Sequence, residues 1–104
     1  MSDRFDIEFT NNAKKDVKDL RHDRERVMRE ILRLRDEPYA GHTLRGSLRG
    51  ARSLEFSLKG GGAYRAVYTI LDDQRLCIIF VVGAHENIYR LAERRHEALL
   101  KSLN

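Results

Sequence analysis

Leu76-Cys77-Ile78-Ile79-Phe80-Val81-Val82 is an unbroken apolar run. A strand with one wet face alternates apolar and polar residues, so a run without alternation fits a strand covered on both faces. It is far shorter than the roughly 18 residues a membrane helix needs. Asp72-Asp73 before it and Gly83 after it supply the turns that bound a strand. The chain must therefore build cover on two sides of a sheet. At 104 residues and 41% hydrophobic, it has enough material for one such layered domain, spanning 1–104.

The flanking segments supply the layers. Phe5-Asp6-Ile7-Glu8-Phe9 alternates with period two and reads as a half-buried strand. Thr10 or Asn11 then caps a helix whose apolar positions are Ala13, Val17 and Leu20. Val27, Ile31 and Leu34, widened by Met28 and Leu32, continue helical spacing in a second helix, with Asp23 as its candidate cap and Pro38 as its stop. Residues 39–53 read as loop, where Leu-Arg-Gly at 44–46 and again at 48–50 marks two turns that each present an arginine. Leu54, Phe56 and Leu58 alternate as a strand, and Gly60-Gly61-Gly62 is a hairpin connection. Tyr64 to Ile70 is the next strand, with Tyr64 and Tyr68 on one face. From Asn87, Ile88, Leu91, Ala92, Leu99 and Leu103 form a narrow helical stripe. The order is β-α-α-β-β-β-α. It predicts an α+β domain in which two N-terminal helices pack on a twisted, mostly antiparallel four-stranded sheet, with a C-terminal helix added.

The net charge of +4 is unevenly placed. Residues 1–38 carry ten basic and ten acidic side chains, and residues 72–104 carry five of each. Residues 39–71 carry Arg45, Arg49, Arg52, Lys59 and Arg65 against Glu55 alone. A one-signed middle third suits a polyanion such as RNA or an acidic partner protein, although five cations can also fall together by chance. The opening MSDRFDIEFT lacks the apolar core of a signal peptide, so the expected location is the cytoplasm, with no membrane contact.

Several chemistries find no support. His22, His42, His85 and His96 are scattered, without ligand spacing or a carboxylate cluster, so neither a metal nor another cofactor is expected. His22, His42 and His96 sit among charged residues and read as solvent-facing. The glycine run lacks the lysine and helix of a phosphate-binding loop. Cys77 lies within the most apolar strand and reads as core packing. What remains gathers at strand ends. Arg65 follows the glycine turn, His85 follows the apolar strand, and Tyr89 lies in the first turn of the last helix. An antiparallel hairpin brings the first two together, with Tyr89 about one turn beyond. Such a set suits attack on a phosphodiester by the adjacent 2′-hydroxyl, which needs a base, an acid and positive charge on the phosphorane. Each residue also has a plain structural reading: a surface arginine, a helix-entrance histidine, a tyrosine packed on the sheet.

The segments FTNNAKKDVKDL, TLRGSLRG, LKGGGAYRAVYTI and IIFVVGAHENIYRLAERR, in that order, resemble the RelE/ParE toxin superfamily from Phe5 to about Arg95. The resemblance implies a ribosome-dependent, metal-independent endoribonuclease toxin of a type II toxin–antitoxin system. Its partners would be a cognate antitoxin, the ribosome and mRNA, with DNA touched only through the antitoxin. By the same resemblance Arg65 stabilises the transition state, His85 is general base or acid, and Tyr89 assists. Arg45, Arg49, Arg52 and Lys59 are then RNA contacts. Where RelE itself has two strand lysines, this chain has Glu55 and Ser57. That departure favours two alternatives, a non-catalytic DNA gyrase inhibitor of the ParE type or a degenerate toxin that only binds its antitoxin.

Overall fold

A computed structural model describes residues 4–58, 60–84 and 88–103. The chain opens with β1 (Asp6–Phe9), α1 (Asn11–Asp19) and α2 (Arg24–Leu32). It then crosses to a far edge as β2 (His42–Thr43) and returns as β3 (Ala51–Ser57), β4 (Ala63–Leu71) and β5 (Leu76–Ala84) before α3 (Ile88–Leu103). The sheet order is β1-β5-β4-β3-β2. The β2–β5 meander is antiparallel throughout, and it brings β5 alongside β1 in parallel. The sheet thus has five strands where four were expected. The extra one, His42–Thr43, is too short to show a period in the sequence. β3 also begins at Ala51, three residues before its alternation becomes visible at Leu54.

Local signals explain most boundaries. Thr10 caps α1, its hydroxyl accepting from the Ala13 N–H at 3.1 Å. Asp23 occupies the cap position of α2 but makes no side-chain cap bond. The second helix ends at Leu32 and runs on as a 3-10 turn, Arg33–Arg35, so it stops before Pro38 can act. Pro38 has another use. Its carbonyl accepts from the Tyr68 hydroxyl at 2.7 Å, and that hydroxyl accepts from the Gly41 N–H at 3.0 Å. A Cβ on Gly41 would stand 2.7 Å from the Tyr68 oxygen and 2.8 Å from the Ser53 carbonyl, so only glycine fits.

β5 is covered as its composition requires, with Cys77 through Val82 all buried. On one face Cys77, Ile79 and Val82 pack with Val17, Val27, Ile31 and Leu34 of the helical layer. On the other, Phe80 and Val81 pack with Ile88 and Ala92 of α3 and with Leu48. Two successive residues share that face because Val67 pairs with Val81 while Tyr68 pairs with Ile79, leaving Phe80 as a bulge. His96 belongs here too. It is 2% exposed, its ring stacks on Phe80 with centroids 5.5 Å apart, and its Nδ1 lies 3.3 Å from the Ser47 carbonyl. The expectation that it faces solvent is therefore corrected: charged neighbours lie on other sides of the helix, while His96 is one turn beyond buried Ala92.

Beyond the last β1–β5 rung, Thr10 N–H to Ile79 O, the outer edge of β5 needs other partners. Asp16 of α1 accepts from the Val82 N–H at 3.0 Å. Arg95 of α3 donates to the Phe80 carbonyl at 3.0 Å and to Asp16 at 2.6 and 3.3 Å. One ion pair therefore seals an open strand edge and ties both helical layers to it. Its side chains are only 17% and 16% exposed, so losing one partner strands a charge. Arg95→Met and Asp16→Asn should each lower stability by about 3 kcal/mol. In urea unfolding, the double variant should lose clearly less than the sum of the two.

Candidate functional site

The hairpin at Gly60–Gly62 is built on positive backbone angles, φ 102°, 93° and 92°, which glycine adopts without strain. Its register sets Glu55 of β3 directly opposite Arg65 of β4, and Arg65 opposite Gly83 of β5. Strand alternation turns Glu55 and Arg65 to the face that carries α3. Tyr89, in the first turn of α3, reaches back over Arg65.

Arg65 is 8% exposed, an unusual place for a cation. Its Nη2 lies 2.7 Å from Glu55 Oε1, and its Nη1 donates to the Tyr89 hydroxyl. The Tyr89 ring lies flat enough for a cation–π contact, its centroid 5.2 Å from the guanidinium carbon. Nε is buried and makes no hydrogen bond. A held, mostly desolvated cation with an unused donor is a ready anion site.

Of the residues singled out from sequence, Arg65 and Tyr89 come into direct contact, where Tyr89 was expected about one turn beyond. His85 and Lys59 lie outside the described residues. Arg45 and Arg49 are exposed on the turn around Gly46–Leu48, whose Leu48 packs beneath α3, and neither makes a contact with Arg65. Arg52 is elsewhere: three residues from Glu55 on one strand, it faces the opposite side of the sheet. Its guanidinium donates to the Gly41 carbonyl at 2.9 Å and the Tyr39 carbonyl at 3.0 Å, and lies 5.3 Å from the Tyr39 ring centre. Those bonds give it a structural task, bracing the 39–41 loop. Glu55 is the residue that sequence reading undervalued, having taken it only as a missing lysine. The signal was available, because Glu55 and Arg65 are each five residues from Gly60, the centre of the hairpin.

Among the described residues, no group of His, Cys, Asp and Glu could hold a metal ion, and no helix is long and apolar enough to cross a membrane. The model of the ParE-like toxins of type II bacterial toxin–antitoxin systems matches residues 7–93. The chain belongs to this family. Solved structures agree with it on the fold. The ParE-like toxin is similar to a chain of the RelBE2 toxin–antitoxin complex of Mycobacterium tuberculosis, at 27% identity over 79% of this chain and 99% of that one, TM-score 0.66. It resembles in fold a mutant of the E. coli toxin RelE in the free state, at 21% identity, 86% and 93% coverage, TM-score 0.68. It also resembles in fold the YoeB/ParE toxin of Agrobacterium tumefaciens, at 17% identity, 78% and 99% coverage, TM-score 0.61. A search of curated sequences returns no match.

Cys77 takes no part in this site. Burial, reinforced by the charge of Asp72, pushes its thiol up to about 11 from 9.0. Well below pH 9.0 the thiol is mostly neutral in folded and unfolded chains alike and contributes little pH dependence. Above it the unfolded thiol ionises first, so rising pH favours unfolding until the folded value is passed. Wild-type toxin should therefore lose stability between pH 9 and about 11 more steeply than Cys77→Ala, as read by urea unfolding at each pH. A thiol reagent at pH 8 should label Cys77 only on unfolding.

Proposed function

We propose that this toxin is a metal-independent endoribonuclease that cleaves mRNA on the ribosome and thereby stops translation. The observation that carries the reading is the buried Arg65 guanidinium, held by Glu55 and Tyr89 with Nε unpaired. In the proposed reaction the 2′-oxygen attacks the adjacent phosphorus and the bond to the 5′-oxygen breaks, leaving a cyclic phosphate and a 5′-hydroxyl. Arg65 stabilises the charge of the phosphorane. His85 carries protons, because an imidazole can both take up and give up a proton at neutral pH. Tyr89 fixes Arg65 and offers a ring for stacking. Exposed Arg45 and Arg49, with Lys59, contact neighbouring phosphates. A cognate antitoxin would restrain the toxin, as the toxin–antitoxin complex of its Mycobacterium tuberculosis relative suggests, and its place would be the cytoplasm.

One observation favours a second reading. Glu55 neutralises Arg65 in a site where the RelE pattern would add two lysines, which suits a toxin that binds DNA gyrase without catalysis, or one that has kept only antitoxin binding. Primer-extension mapping of mRNA ends after induced expression separates these. The nuclease gives codon-phased cuts; Arg65→Ala lowers them by about 100-fold or more and relieves growth arrest. Tyr89→Phe, which keeps the ring and loses the hydroxyl, should cost about tenfold. Arrest with DNA damage and intact messages would select the gyrase reading, and no arrest would select the degenerate one.

A further inference from the structure

Arg65 is held firmly but incompletely. Nε and Nη2 flank one edge of its guanidinium; Nη2 lies 2.7 Å from a single oxygen of Glu55, and Nε has no hydrogen-bond partner. A phosphodiester placing two oxygens on that edge would satisfy both donors, which one carboxylate oxygen does not. The partners also differ in freedom. The Arg65 side chain is 10% exposed and pinned by Tyr89, whereas Glu55 is 50% exposed and has water to turn into. While Glu55 stays, the positive charge of Arg65 is cancelled at the point where an anion would approach.

We propose that Glu55 is an internal competitor for the anion-binding edge of Arg65, occupying it in the free toxin until an RNA phosphodiester displaces it. This rests on the reading of Arg65 as a phosphate contact. The exchange separates an ion pair and restores one, and it gives buried Nε the acceptor it lacks. RNA touching Arg65 alone gains little, because the new pair replaces an old one. RNA held at other points, through Arg45 and Arg49 or by a larger assembly, already has the binding energy to open the site. Glu55 thus acts as a filter against loose RNA, not as a fixed part of the binding surface.

The test is fluorescence anisotropy with a short 2′-O-methyl RNA, which has no free 2′-hydroxyl and is not cleaved. Glu55→Gln and Glu55→Ala should each bind about fivefold tighter than wild type, the scale of a half-exposed ion pair. The gain should vanish when Arg65→Ala is added. In wild-type toxin, NMR should show the Arg65 Nε–H and the Glu55 carboxyl carbon shifting together on RNA addition, a readout independent of any variant's folding. If both Glu55 variants bind as wild type or weaker while Arg65→Ala binds worse, the competitor role is overturned and the phosphate contact stands. If Arg65→Ala binds as wild type and neither signal moves, the phosphate reading falls and the filter with it.

Discussion

Six consecutive buried residues, Cys77–Val82, leave β5 no face for water, and the remaining architecture answers to that constraint. Cover must come from both sides, so the chain lays α1 and α2 on one face and brings α3 back over the other. The Phe80 bulge lets two neighbouring side chains feed the α3 core. The strand also outruns its neighbour β1, and the resulting open edge is closed by Asp16 and Arg95. That pair does more than hold two charges: it gives both helical layers a common attachment to the same strand.

The site depends on this arrangement. α3 is fixed to β5 through Arg95 and wedged by His96 between Phe80 and the 46–48 turn. Its first turn then places Tyr89 over Arg65. A guanidinium buried to this degree is costly unless each donor is met. Glu55 and Tyr89 meet two of its nitrogens and leave the third. Arg65 is therefore firmly held and yet left with a buried donor unmet. The other middle-third cations that the structure describes divide by task. Arg45 and Arg49 stay in solvent, and Arg52 braces a loop.

Much of this was legible beforehand, for reasons that can be named. Period two revealed β1 and β3, an unbroken run revealed β5, and helical spacing revealed α1 to α3, since each pattern is a direct projection of a buried face; β4 was placed by the glycine turn before it and the Asp72-Asp73 turn after it. Strand ends meeting a helix entrance put Arg65, His85 and Tyr89 in one neighbourhood, but the direct contact of Tyr89 with Arg65 came only with the structure. β2 was not legible, because two exposed residues carry no pattern. His96 was misplaced because its sequence neighbours are charged, while its contacts come from a strand and a turn distant in sequence. Arg52 was grouped with Arg45 and Arg49 by sign alone, although strand alternation turns it to the other face.

The sequence by itself determined the layered α+β plan, the doubly covered strand, the glycine hairpin and the residues at its ends. These follow from local periodicity and backbone preference, which act over a few neighbouring residues. Only the tertiary structure decided which charges meet. Glu55 closing on Arg65, Asp16 on Arg95, and Arg52 turning to a loop depend on register and on helix placement. Electrostatic energy depends on distance and burial, and both are created only when distant segments pack.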